Sequence, residues 1–205
     1  MFTLIIIVMG MAKLRPGDER DILATRYEIN VRETFHLKNL YKLVHEWLGD
    51  EEFVSVDTGD DKVEYLYIDK MLPAGNKEHR IWWRAIQVPR GNRYYRYFLK
   101  IDWQTLNVKT VEIMHKGQKF KTNKGEVTIW IEAWLQLDYR NEWADHPFLK
   151  HFDRWFRERF YLEKIKSYRD DLYRTAFRLN QTIKQYLELK MPVDWGKPFH
   201  PKKGV

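Results

Sequence analysis

The chain contains no cysteine, which excludes disulfides, thiolate metal ligands and a cysteine nucleophile. The absence of cysteine favours a reducing compartment, and we expect a cytoplasmic protein. The chain also lacks low-complexity runs, so we expect disorder only at its ends.

No apolar run is long enough to cross a bilayer. The run within residues 1–12 covers about twelve positions, whereas a helical span needs roughly 20. No basic residue precedes this run, so it is also a poor signal peptide. We expect an N-terminal segment over residues 1–24, with Met11 as an alternative start. A single domain over residues 25–190 and a basic, proline-containing tail over residues 191–205 should follow.

Motifs for catalysis are missing as well. Seven histidines are present, but no two are four residues apart, the spacing that places two imidazoles on one helical face. No glycine-rich phosphate loop and no nucleophile elbow occurs. We therefore expect no catalytic residue, no metal site and no cofactor, and a protein that binds rather than catalyses.

The order of periodic segments predicts the fold. Apolar and polar residues alternate over residues 26–32, which predicts a strand. One helical stripe follows, formed by Leu37, Leu40, Tyr41, Val44 and Leu48. Alternating segments up to residue 139 predict further antiparallel strands, with turns expected at residues 105–107 and 123–125. Residues 148–190 contain neither glycine nor proline and predict one long helix or a broken pair. The class is therefore α+β, with an antiparallel, strongly bent sheet packed on a long C-terminal helix.

This order of elements resembles the helix-grip fold of the START and polyketide-cyclase-like proteins over residues 25–190. The resemblance implies a sheet that curls around the last helix. It also implies an apolar ligand held in the gap between sheet and helix, with the protein acting as a non-enzymatic binding protein.

An apolar row identifies the inner face of the last strand. Every odd position from Val127 to Tyr139 is apolar, and we expect this row to pack on the terminal helix through Phe152, Trp155, Phe156, Ile165, Leu172 and Leu179. The candidate ligand-binding residues are Tyr95, Tyr97, Trp103, Ile131 and Leu135. Such aromatic residues can equally fill a core without binding anything, and both interpretations stay open.

The positive charge of the chain is concentrated in one segment. The net charge is +7, and residues 90–124 contain nine basic and two acidic residues, which is also 9 − 2 = +7. Clustered lysines around an aromatic ring are typical of RNA or DNA binding, which predicts a nucleic-acid or ribosome-associated protein as the alternative function. The candidates around a basic hairpin at residues 116–124 are Arg93, Arg96, Lys100, Lys116, Lys119, Phe120, Lys121 and Lys124. Lysines also protect exposed sheet edges from pairing with other chains, which is the competing interpretation.

Two tryptophans lie on the opposite face of the last strand. Trp130 and Trp134 are at even positions, so they point away from the apolar row. They are covered by another part of the chain or they form a contact surface, since tryptophan is enriched at interface centres. The second alternative predicts a structural assembly subunit that forms a homo-oligomer.

Overall fold

The computed structural model describes residues 19–73, 75–90, 92–115 and 118–188. Within these residues the chain forms seven strands and three helices in the order β1–β2–α1–β3–β4–β5–β6–β7–α2–α3. The strands are β1 (Asp21–Val31), β2 (Thr34–Phe35), β3 (Val54–Ser55), β4 (Glu64–Met71), β5 (Lys77–Gln87), β6 (Tyr95–His115) and β7 (Gln118–Leu137). The helices are α1 (Leu37–Asp50), α2 (Leu149–Arg159) and α3 (Leu162–Glu188).

All described strands pair antiparallel in one sheet. The order is β1-β7-β6-β5-β3, with β2 beside β7 and β4 beside β5. The sheet is strongly curled and packs against the C-terminal helix, so the predicted α+β class is confirmed. None of the helices in the described ranges is long and apolar enough to cross a membrane.

Strands β6 and β7 are longer than the sequence pattern suggested. The turns expected at residues 105–107 and 123–125 are wrong, because both segments lie inside paired strands. The ladder is irregular between Leu106 and Lys109, and Asn107 adopts a left-handed φ of 53°. An irregularity of this kind absorbs extra chain length without ending the strand. The turn-forming residues therefore mark a bulge.

The inner face of the sheet forms the core. The predicted odd-numbered row is buried from Val127 to Leu137. Ile165, Leu172 and Leu179 of α3 are buried in the same cluster, as predicted. They are joined there by other α3 side chains and by the apolar stripe of α1.

Phe152 and Trp155 do not join this core, and their predicted role in it is wrong. Both rings are exposed, because the helix is interrupted after Arg159 and α2 forms a separate element. The face that α2 turns inward carries the buried Asp153 and the half-buried Phe156. The ring of Phe156 packs against Trp143 with centroids 4.9 Å apart.

Candidate ligand site between the sheet and helix α1

All five candidate ligand-binding residues are buried on the inner face of the sheet. Tyr97 of β6 lies directly opposite Leu135 of β7. Six residues separate Tyr97 from Trp103 along β6, which corresponds to roughly 20 Å at 3.3 Å per residue. The residues therefore divide into a tyrosine end and a tryptophan end.

The tyrosine end is filled by protein side chains. Tyr95 stacks on Tyr168 of α3 with ring centroids 4.0 Å apart, and it lies 5.7 Å from Tyr97. Burial raises the pKa of Tyr97 to about 12, and the carboxylate of Asp171 contributes in the same direction. Burial also raises the pKa of Tyr95. Both hydroxyls are therefore neutral at physiological pH and act within a packed aromatic cluster.

The tryptophan end lies beneath helix α1. The rings of Trp103 and Trp83 are 5.3 Å apart, and both side chains are almost completely buried. Tyr41 of α1 meets Trp83 edge-on at 4.8 Å and lies 6.4 Å from Trp103. His45, one turn further along α1, is 6.1 Å from Trp83. Helix α1, rather than the C-terminal helix, thus covers this part of the sheet.

Two buried donors distinguish the tryptophan end. The indole Nε1 atoms of Trp83 and Trp103 have no hydrogen-bond partner among the described residues. The Trp83 indole is close enough to the Tyr41 hydroxyl to lower the pKa of that phenol by hydrogen bonding, although the two groups do not meet strict hydrogen-bond geometry. An indole N–H can only donate, and buried polar groups in folded proteins are nearly always paired. The site consequently offers one unused donor, Trp103 Nε1, in apolar surroundings.

The polar edge of this cluster reaches the surface beside β4. The Tyr41 hydroxyl donates to Glu64 Oε2 at 2.6 Å, and Glu64 is exposed. Burial raises the pKa of Tyr41, and the hydrogen bond to Glu64 raises it further. The phenol therefore stays protonated and ties α1 to the edge strand.

Sequence reasoning included Trp103 but missed Trp83 and Tyr41 as members of this site. Trp83 lies in a segment that is apolar on both faces, and its inward direction depends on the register of β5. Tyr41 belongs to the helical stripe that the sequence did reveal. If the sequence had shown that α1 covers the inner face of the sheet, the Tyr41 ring could have been placed beside the two tryptophans.

Two of the candidate nucleic-acid-binding residues are engaged on the outer face of the sheet. Arg96 donates from Nε to Gln136 Oε1 at 2.7 Å, and its guanidinium lies over the Tyr139 ring. Lys100 pairs with Glu132 at 3.3 Å. Both are therefore separate from the lysines of the β6–β7 hairpin.

The hairpin lysines form a distinct basic ribbon, which consists of Lys109, Lys119, Lys121 and Lys124. All four are exposed, and none makes an ion pair with another residue in the described ranges. Phe120 lies opposite Ile113 and is half-buried. It shares a face of the ribbon with Lys109 and Lys124, whereas Lys119 and Lys121 point to the other face. Arg93 is exposed just before β6, and Lys116 lies outside the described residues.

Trp130 and Trp134 lie on the outer face, as their even positions predicted. Both are half-buried, and Trp134 Nε1 donates to Glu132 at 3.2 Å. A row of charged residues runs between them across four strands. In register, this row consists of Arg84, Lys100, Glu132 and Arg26. An interface role for the two tryptophans stays a prediction.

Comparison with known proteins gives no functional assignment. No protein-family model matches the chain, and no curated protein matches it significantly. Within the described residues, no three His, Asp or Glu side chains are grouped so that they could hold a metal ion. The structure defines an α+β protein in which a curled sheet packs against helices.

Proposed function

We propose that this protein binds a small, largely apolar molecule between the sheet and helix α1. The observation that carries the proposal is the buried indole donor Trp103 Nε1, which has no partner in the described part of the chain. The ligand should carry at least one hydrogen-bond acceptor, such as a carbonyl or hydroxyl oxygen. The protein acts by binding, without chemistry on the ligand.

The free-energy cost of an unpaired buried donor favours a ligand that accepts a hydrogen bond from the Trp103 indole. A buried donor without an acceptor costs about 1–3 kcal/mol. A molecule that places an acceptor beside Trp103 removes this cost while its apolar part contacts the aromatic rings. Small-molecule sites combine an apolar lining with a few oriented polar groups, and the surroundings of Tyr41, Trp83 and Trp103 have this composition.

Native mass spectrometry of the protein purified from its own source tests the proposal. We expect one small molecule per chain that is lost when the protein is unfolded in urea and refolded. If the purified protein carries no small molecule and a panel of apolar carbonyl compounds does not raise its melting temperature, a buried water must satisfy the Trp103 indole. That result would contradict the proposal.

A conservative substitution tests the proposed donor. Trp103→Phe keeps an aromatic ring and removes the N–H group. We expect this variant to lose affinity for the ligand without losing more stability than a matched control. Trp47→Phe is that control, because Trp47 is also buried but stacks on Phe53 away from the indole pair. Equal ligand affinity in both variants would argue against the donor role.

The basic ribbon favours a second candidate function, the binding of RNA or DNA. Four exposed lysines without ion pairs in the described structure lie on two adjacent strands. Phosphate contacts by lysine release counterions, so such binding weakens steeply with salt. Fluorescence anisotropy with labelled RNA and DNA over a salt series measures this directly. If neither RNA nor DNA binds even at low salt, the role of these lysines is to protect the sheet edge from pairing with other chains.

A further inference from the structure

Helix α2 exposes an aromatic face that no described element covers. Phe148 precedes the helix, and Phe152 and Trp155 follow at intervals of four and three residues, which places all three on one helical face. Their exposed fractions are 74%, 56% and 52%. Phe160 and Leu162, just after the helix, are also exposed. We call these five side chains the α2 aromatic face.

The opposite side of α2 holds the helix firmly in place. Asp153 accepts a hydrogen bond from the Tyr94 hydroxyl at 2.9 Å and pairs with Arg157 at 3.1 Å. Phe156 packs on Trp143. The α2 aromatic face is therefore presented outward by a helix that the rest of the fold fixes.

A cationic side chain lies on this face. Arg159 lies four residues after Trp155 and thus on the same side of α2. Arg159 is exposed and makes no ion pair within the described residues. Of the two acidic residues of α2, Asp153 faces inward and Glu158 is engaged by Arg154 at 3.0 Å. Arg159 therefore places a positive charge next to Trp155.

The N-terminal segment joins the described structure beside α2. The main-chain oxygen of Glu19 lies 3.5 Å from Arg157 Nη1, which donates to it. The sequence before Glu19 includes the apolar run at residues 2–9.

We propose that the α2 aromatic face binds the surface of an anionic lipid bilayer. Helices that lie on membranes combine Trp and Phe on one side with Arg and Lys around them, and they insert the apolar side at the level of the headgroups. Phe148, Phe152 and Trp155 provide this apolar side. Arg159 contacts anionic headgroups. The inference is independent of the ligand site beneath α1, which lies under a different helix.

Flotation of the full chain with lipid vesicles tests the proposal. We expect association with vesicles of phosphatidylcholine and phosphatidylglycerol in a 3:1 ratio, and weaker association with phosphatidylcholine alone. Burial of one large aromatic side chain favours the bound state by about tenfold. Phe152→Ser/Trp155→Ser should therefore reduce the partition coefficient by at least tenfold. Tyr65→Ser/Tyr67→Ser is the matched control, because these exposed rings lie on β4, and it should bind as the wild type does.

The charged part of the surface has its own test. Arg159→Gln should weaken binding to the anionic vesicles about fivefold and leave binding to phosphatidylcholine unchanged. The proposal is overturned if the wild type binds neither vesicle. It is also overturned if Phe152→Ser/Trp155→Ser binds as well as the wild type, which would assign the binding to the N-terminal apolar run. A wild-type dimer that this double variant converts to a monomer, without vesicle binding, would identify a second copy of the chain as the partner instead.

Discussion

Gly125 faces the carbonyl oxygen of Leu106 across the β6–β7 ladder so closely that a side chain does not fit. A Cβ atom at position 125 would lie 2.9 Å from this oxygen and 3.0 Å from the Cα atom of Val108. Both neighbours belong to the backbone at the bulge and cannot move without disturbing the ladder. We expect Gly125→Ala to lower the free energy of unfolding by about 1–3 kcal/mol, the usual cost of overpacking, measured by urea denaturation.

Gly49→Ala is the control for this substitution. Gly49 lies in α1, and a Cβ atom there would meet nothing within 4 Å. Alanine is favoured over glycine within a helix by up to about 1 kcal/mol, so this variant should be as stable as the wild type or more stable. If Gly125→Ala has the same free energy of unfolding as Gly49→Ala, position 125 has room for a side chain and the close approach to Leu106 is contradicted.

The two faces of the sheet should respond differently to the same truncation. Leu135 is fully buried on the inner face, whereas Leu23 of the edge strand β1 is 41% exposed. Leu135→Ala should cost about 2–5 kcal/mol, because it leaves a cavity in a packed core. Leu23→Ala should cost less than about 1 kcal/mol. Chemical denaturation of both variants checks the assignment, and equal losses would contradict it.

Much of the fold follows from periodicity, and the failures have a common cause. Alternation along β7 fixed which residues face inward, because a strand that packs on one face needs an apolar row at every second position. The same local reasoning misread Asn107 and Gly125 as turn residues. A left-handed residue and a glycine serve a bulge as well as a turn, and only the pairing partner distinguishes the two.

The candidate site was predictable only in part, for a similar reason. Trp103 and the inner face follow from alternation alone. The lack of an acceptor for the Trp103 indole does not follow from the sequence. Whether an indole has an acceptor depends on how distant segments of the chain pack against each other. The exposure of Phe152 and Trp155 also escaped prediction. Local sequence could not place the break after Arg159, so the stripe of α2 could not be separated from that of α3.

Ionised Glu132 should stabilise the protein in a pH-dependent way. Burial alone would raise the pKa of Glu132, but Lys100, the Trp134 indole and Arg26 together lower it. Since the folded pKa lies below the unfolded value of about 4.3, this contribution is present above that pH and is lost as the pH falls through the folded pKa. Glu132→Gln should therefore lower the free energy of unfolding at pH 7 and differ less from the wild type near pH 3.

Glu28→Gln is the matched control on the same face. Glu28 lies opposite Trp130, is exposed and makes no ion pair within the described residues. Urea denaturation at both pH values should show no change for this variant. A Glu132→Gln variant as stable as the wild type at pH 7 would mean that the charged row across the outer face contributes nothing.

The basic ribbon gives a prediction that depends on position as well as charge. Lys119→Gln/Lys121→Gln/Lys124→Gln removes three exposed charges, and the fold should survive because none of them forms an ion pair with the described residues. If the ribbon contacts phosphates, each lost contact lowers the slope of log affinity against log salt by about 0.7–0.9. The triple variant should therefore reduce the slope by about 2–3 and weaken binding to all sequences alike.

Lys38→Gln/Lys42→Gln/Lys184→Gln removes the same charge from exposed positions on α1 and α3 and should leave the slope unchanged. Anisotropy titrations of both triple variants over a salt series measure the two slopes. If the slopes of the two variants are equal, the net charge of the protein, and not the ribbon, attracts the nucleic acid.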